Sequence, residues 1–374
     1  MDRVEKYGEM AAQNTIGVAV VGTGFGQKVH IPGLAAHHRT EVVAVWNRDR
    51  DKAQSVAESC GAGMGSDRLA DILSNPEVHA VTLATPPFAH YDMAQEILAA
   101  GKHLLLEKPV TLTLDEAKHL QQLGKENNVI ITPDFEFRYI PEWQHFAELL
   151  NQGIVGTQRL IKIDWLASSR ANPQRAWNWY AQKAQGGGAL GSIGSHTFDY
   201  VNWLFGPAAS ISATLSTSIP ERPDPESGEM KPVDSDDVCA IALTLTDGTL
   251  CQITLSAVSY TGRGHWIEVY GDKGTLVIGN PSQKDYVNGF KVYTAQEGGD
   301  LKEVPTPERL SFPKVYADGR IAPFIRVVDH WVNCMDAGQE SAPGMNEGVY
   351  SQLLMDLTHC SNEGKTQLAV PPIL

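Results

Sequence analysis

The chain has 374 residues, 42% of them hydrophobic, and a formal net charge of −14. That length and apolar share support a large core and imply two domains. The acidic balance argues against nucleic acid or an anionic membrane surface as a partner, and no apolar run reaches the roughly 20 residues of a membrane span.

Five scattered cysteines (Cys60, Cys239, Cys251, Cys334 and Cys360) form no CxxC, so reduced thiols are expected rather than a disulfide frame or a zinc site. Residues 1–14 are polar and contain no apolar h-region. No secretory signal is read there, and a cytoplasmic location is expected.

An apolar run from Ile16 to Val21 stops at Gly22, and glycines follow at Gly24 and Gly26 before a helix-competent segment. A β-branched run ending in a glycine turn reads as the start of a βαβ unit. Gly22 allows the sharp turn, and Gly24 removes a side chain that would hold a pyrophosphate away from the backbone. The helix behind them offers unpaired N–H groups to that anion. The spacing departs from G-x-G-x-x-G, since its third glycine position holds Gln27.

Strands are then expected at 41–46, 78–84, 103–106 and 129–132, with helices at 50–59, 68–73, 90–100 and 113–127. The last helix opens on the capping box Thr113-Leu-Asp-Glu116. This alternation predicts a doubly wound parallel sheet in an α/β domain over residues 1–136.

The character changes after Asp134. A helix at 141–151, a strand at 157–165 and a helix at 193–205 precede strands at 208–218, 238–245, 249–256, 265–270, 275–278 and 289–293. Residues 219–234, rich in Pro, Glu and Asp, read as a mobile loop. Helices at 323–337 and 347–361 close the chain. Residues 137–374 are therefore expected to form an α+β domain with an open, mainly antiparallel sheet.

The segments Gly22-Thr-Gly-Phe-Gly, His30-Ile-Pro, Thr85-Pro-Pro-Phe-Ala-His90, Glu107-Lys-Pro109 and Gly186-Gly-Gly-Ala-Leu-Gly-Ser-Ile-Gly-Ser-His196 resemble the Gfo/Idh/MocA oxidoreductases. That family includes glucose–fructose oxidoreductase and inositol dehydrogenase. The resemblance implies a Rossmann domain, a second domain whose open sheet carries substrate, and a homo-dimer or homo-tetramer through that sheet.

Gly22, Gly24, Phe25 and Gly26 are assigned to the cofactor's phosphates. An acidic residue at the end of the second strand holds the ribose in NAD-preferring folds. Here that place is Asn47, with Arg48 beside it, which favours NADP over NAD. In the alternative, Asp49 reaches the ribose. Thr85, Pro86 and His90 follow a strand end and line the crevice. His90 either touches the cofactor or only packs.

Lys108 ends a buried strand, where an amine can hold a substrate oxygen and help manage its proton. Glu107 pairs with it or touches the nicotinamide ribose, and the resemblance implies a cis peptide before Pro109. The resemblance makes His196 the acid–base residue, a role imidazole suits. Inositol dehydrogenase-like members carry aspartate where Ser192 stands, which puts inositol specificity in doubt.

Glu136 and Arg138 reach sugar hydroxyls or form an interdomain ion pair. Trp177, with Trp179 and Trp165, offers a face for a pyranose ring. No His/Asp/Glu spacing calls for a metal. The reading is an NAD(P)-dependent oxidoreductase acting on a small sugar, cyclitol or related polyol. The rival is a cofactor-binding regulator of the same fold that has lost turnover.

Overall fold

The computed structural model describes residues 15–282, 285 and 287–372. The reading of residues 1–14 as lacking a leader lies outside them. The first third alternates β1 (Ile16–Val21), α1 (Ile31–Ala36, entered through a π-helical turn at Gly26–His30), β2 (Thr40–Trp46), α2 (Arg50–Cys60), β3 (Met64–Ser66) and α3 (Leu69–Ser74). It continues with β4 (Ala80–Leu83), α4 (His90–Ala99), β5 (His103–Leu106), α5 (Leu114–Glu126) and β6 (Ile131–Pro133).

The strands form one six-stranded sheet in the order β3-β2-β1-β4-β5-β6, parallel throughout. Helices cover both faces, so β1 and β4 are apolar at nearly every position instead of alternating. The winding reverses between β1 and β4, which opens a crevice at their carboxyl ends.

The remainder contains α6 (Pro141–Asn151), β7 (Gln158–Leu166), α7 (Ser195–Phe205), β8 (Ala208–Ser216), β9 (Glu221–Pro223), β10 (Met230–Pro232), β11 (Val238–Leu245) and β12 (Leu250–Ser256). After these come β13 (Gly264–Gly271), β14 (Gly274–Asn280), β15 (Lys291–Gln296), β16 (Lys302–Val304), α8 (Ile321–Ala337), α9 (Met345–Gly364) and β17 (Leu368–Ala369). A nine-stranded sheet runs β16-β15-β14-β13-β7-β12-β11-β8-β17. Only the β7–β12 pair within it is parallel.

One face of this sheet packs under α6, α7 and α9 through Trp143, Phe198, Tyr200 and Leu354. The other face carries the exposed half of each alternating strand, as along β11. Helix α8 crosses back to the first sheet, where Phe324, Val327, Val328 and Trp331 share a core with Val18 and Val20. Gly33 makes room for this helix, since a Cβ there would stand 2.4 Å from the Phe324 ring.

The segment 219–234, expected as a mobile loop, instead holds the β9–β10 hairpin. Buried Arg222 ties it down by donating to the carbonyls of Asn172 (2.8 Å) and Arg170 (2.6 Å). Each strand is three residues long, too short for alternation to register. The same shortness hides β3, β16 and β17 from the sequence. All five cysteines are free thiols. Among the described residues, no helix is long and apolar enough to cross a membrane.

Candidate active site

The crevice begins at the glycine turn. Gly22 has φ +105°, and a Cβ there would meet the Ala84 carbonyl oxygen at 2.6 Å, so only glycine joins β1 to the turn. A Cβ at exposed Gly24 would meet nothing within 4 Å, which leaves the backbone open to an anion. Gly26 differs from its assignment to the phosphates. It is buried, with the Val20 side chain 2.9 Å from where its Cβ would lie, and serves helix–strand packing.

A groove of about 940 Å³ runs from this turn past Asn47, Arg48, Asp49 and Lys52 on one side and Thr85, Pro86 and Phe88 on the other. Asn47 is held in place, donating from Nδ2 to Thr23 Oγ1 (2.6 Å) and accepting from the Asp49 N–H (2.9 Å). Asp49 caps α2 by accepting from the Lys52 N–H at 3.1 Å. The Thr85 hydroxyl is buried in the groove wall without a protein partner. An open backbone cradle and an unsatisfied hydroxyl at a switch point fit a dinucleotide.

The groove continues into a smaller pocket of about 180 Å³, lined by Phe25, Thr85, Glu107, Lys108, Asp134, Glu136, Trp179, Ser192 and His196. The Lys108–Pro109 peptide is cis. Lys108 Nζ donates to the Ser192 carbonyl at 3.2 Å, bridging the end of β5 to the turn that starts α7. Ser192 Oγ donates to the Gly188 carbonyl (2.8 Å) and lies 3.0 Å from the Tyr180 hydroxyl.

Burial holds the His196 imidazole well below its ordinary pKa, and the charge of Lys108 and the nearby His265 add to the effect. His196 is therefore neutral at neutral pH and able to accept a proton. Its Nδ1 is buried without a protein partner, and its side chain lines the pocket.

Behind Lys108, His30 Nε2 stands 3.1 Å from Glu107 Oε1 and 3.8 Å from Asp134 Oδ2. Burial alone would raise Glu107. The hydrogen bond and charge of His30, with the charge of Lys108, hold it below the usual carboxylate value. Asp134 goes well above, through burial and the neighbouring charges of Glu107 and Glu136.

Three expected site residues are placed elsewhere. His90 is fully buried, and its Nδ1 and Nε2 lie 2.9 Å and 2.8 Å from the carbonyl oxygens of Pro109 and Thr85. It braces those two loops and does not line the groove. Arg138 is consumed by Asp199, with Nε–Oδ2 at 2.9 Å and Nη2–Oδ1 at 2.6 Å, both side chains buried. It takes the ion-pair alternative and contributes no free guanidinium to a substrate.

Trp177 lies along the dinucleotide groove, where its Nε1 donates to the Pro232 carbonyl at 2.9 Å. Trp179 is the tryptophan that reaches the smaller pocket. Trp165 stacks on His265 in the core, with centroids 4.1 Å apart. Sequence reasoning did not single out Asp134, Lys52 or His265. For Asp134 the signal was present, because it follows β6 as Lys108 follows β5. Lys52 and His265 carried none.

The fold and this crevice define a dinucleotide-binding oxidoreductase. Residues 16–135 match the model described as "Oxidoreductase family, NAD-binding Rossmann fold", and residues 147–370 match that family's C-terminal alpha/beta domain. The chain belongs to the Gfo/Idh/MocA oxidoreductase family.

An uncharacterized oxidoreductase of Synechocystis sp. is 52% identical over 365 residues, spanning 97% of this chain and 98% of the relative. Levoglucosan dehydrogenase of Pseudarthrobacter phenanthrenivorans is 28% identical over 288 residues, 70% of this chain and 73% of that one. A solved levoglucosan dehydrogenase in complex with NADH and L-sorbose superposes with a TM-score of 0.86 at 23% identity, covering 96% of this chain and all of that one. At that identity the likeness establishes the fold alone. Membership of an oxidoreductase family, with Lys108 and His196 in one pocket, does not favour the reading as a regulator without turnover.

Proposed function

We propose that the chain is a dehydrogenase that moves hydride between a nicotinamide dinucleotide and the carbinol carbon of a sugar, cyclitol or related polyol. Residues 1–136 serve as the dinucleotide domain and 137–374 as the substrate domain. The observation that carries this reading is the meeting of Lys108 and a neutral His196 in one pocket continuous with the dinucleotide groove.

A dinucleotide bound there supplies the hydride acceptor or donor at its nicotinamide ring. Gly22, Gly24 and Phe25 take its phosphates, and Thr85, Pro86 and Glu107 take its inner half. In the oxidising direction the Lys108 ammonium holds the reacting oxygen, and the His196 imidazole receives the hydroxyl proton. A neutral imidazole is needed for that step, and its burial supports it. The relatives named as sugar dehydrogenases support the substrate class.

NADP is the preferred coenzyme in this reading, with NAD also accepted. Arg48 and exposed Lys52 flank the outer groove, while Asp49 is engaged as a helix cap. The open face of the nine-stranded sheet is the proposed surface for a homo-dimer or homo-tetramer, and the proposed location is cytoplasmic. The test is turnover of neutral sugars and cyclitols with NADP and NAD by the purified chain and its His196→Asn variant. Turnover that the variant loses while still binding coenzyme supports the reading. Coenzyme binding without turnover of any polyol overturns it.

A further inference from the structure

Asp134 takes no part in the hydride and proton transfers proposed for Lys108 and His196. Its side chain is 3% exposed, yet it lines the small pocket beside Lys108 and His196. Its Oδ1 takes no hydrogen bond from the protein. A buried polar atom left unsatisfied at a pocket wall costs stability unless a ligand meets it.

The setting is ordered around it. The ring of His30 is fully buried and stacks on Phe324 of α8, with centroids 4.3 Å apart and planes 13° from parallel. Glu107, Asp134 and His30 bring their polar atoms within 4.8 Å of one another. Glu136 follows two residues later on the same wall. Three carboxyl groups thus line the pocket against one cation, Lys108, and the neighbouring guanidinium of Arg138 is spent on Asp199.

We propose that Asp134 is a substrate-contacting residue whose Oδ1 binds a hydroxyl of an uncharged, single-ring polyol, and that this carboxyl-lined wall excludes phosphorylated and carboxylated sugars. The inference rests on the dehydrogenase reading and narrows its substrate class. A phosphate or carboxylate brought against this wall meets like charge with no guanidinium to receive it, and such juxtapositions are strongly selective. Burial and the charges of Glu107 and Glu136 favour the protonated form of Asp134, which shares its proton with Glu107 and leaves Oδ1 to accept from a hydroxyl, so the wall's negative charge is carried by Glu107 and Glu136. The cavity of about 180 Å³ is small beside drug-sized sites of roughly 300–1,000 Å³. It suits one sugar ring and not a nucleotide-sugar.

The test compares kcat/KM for glucose, glucose 6-phosphate and glucuronate, and for myo-inositol, using wild type, Asp134→Ala and Asp134→Asn. Dinucleotide Kd is measured in parallel by coenzyme fluorescence. Expected is a wild-type preference for the neutral compounds of about a hundredfold or more, as like-charge placement implies. Asp134→Ala raises KM for the neutral substrate about tenfold or more while leaving dinucleotide Kd unchanged, and Asp134→Asn, which keeps the hydrogen bonding, retains most of the affinity.

Equal or better use of an anionic sugar overturns the proposal and leaves the dehydrogenase reading standing. So does an alanine variant whose KM is unchanged or whose defect lies in coenzyme binding. The wild-type comparison needs no variant, so misfolding of Asp134→Ala does not protect the proposal. Absence of turnover with every compound, with coenzyme still bound, overturns the dehydrogenase reading itself and this inference with it.

Discussion

Replacing Lys108 by methionine keeps most of the side chain's length and removes its charge, which isolates the proposed work of the ammonium group. Its visible bond in the protein is the one to the Ser192 carbonyl at 3.2 Å, and losing a bond from a charged donor costs about 1.5–3 kcal/mol of stability at most. The loss in catalysis is larger. A charge-assisted hydrogen bond to the reacting oxygen is worth about 1.5–3 kcal/mol, and a positioned proton-handling group contributes about 10²–10⁴ in rate. Lys108→Met is therefore expected to lower kcat by about 10²–10⁴ with dinucleotide Kd unchanged.

The variant also moves a pKa. The Lys108 charge helps hold His196 down, so its removal lets the imidazole rise. Burial, the larger cause, stays, and the value remains below the ordinary one. In the oxidising direction the acid limb of kcat/KM shifts to higher pH, because the base becomes protonated sooner. A steady-state pH profile for both proteins reads the two effects together. A variant with undiminished kcat, or an acid limb that moves to lower pH, refutes the reasoning.

Gly24→Val is expected to fold, since a Cβ there meets nothing, and to lose coenzyme binding by calorimetry because the side chain fills the anion's place. Arg48→Ala should lower the NADP-to-NAD ratio of kcat/KM by about tenfold to a hundredfold, the worth of a charge-assisted bond to the 2′-phosphate. Arg138→Leu strands the buried Asp199 carboxylate and should cost about 3–5 kcal/mol in urea unfolding, with Arg138→Leu/Asp199→Leu recovering part of it.

Stability should also fall in acid. His265 is depressed to about 3 by burial, so below the unfolded value of 6.5 the unfolded chain takes the proton first. Each further pH unit then costs about 1.4 kcal/mol until the folded value is reached. His265→Phe should make the acid limb of a stability curve shallower.

The amino-terminal sheet was legible because strands buried on both faces write themselves as apolar runs, and glycines and one capping box punctuate the helices between them. Thr113 and Glu116 form the expected reciprocal cap. The carboxyl-edge rule likewise located Lys108 and Thr85, and applied once more it reaches Asp134. What remained hidden depends on pairings far apart in the chain. Arg138 reads as available until Asp199, from α7, claims it.

His90 looks like a crevice residue until two carbonyls take its ring, and nothing in the local sequence announces them. Trp177 and Trp179 are separated by one residue, and it takes the bond from Trp177 to the Pro232 carbonyl of the hairpin at 221–232 and the seating of Trp179 in the small pocket to tell their places apart. The return of α8 to the first sheet was equally unreadable, since an amphipathic helix does not name the surface it covers.

The central claim is that the crevice at the ends of β1 and β4 holds a pyridine dinucleotide next to Lys108, and thermal unfolding with added coenzyme tests it most directly. At about a hundred times Kd, a bound coenzyme adds about 2.7 kcal/mol to the native state. A raised Tm is expected for the wild-type chain with NADP, a smaller rise with NAD, and none for Gly24→Val. A wild-type Tm that neither coenzyme moves would contradict it.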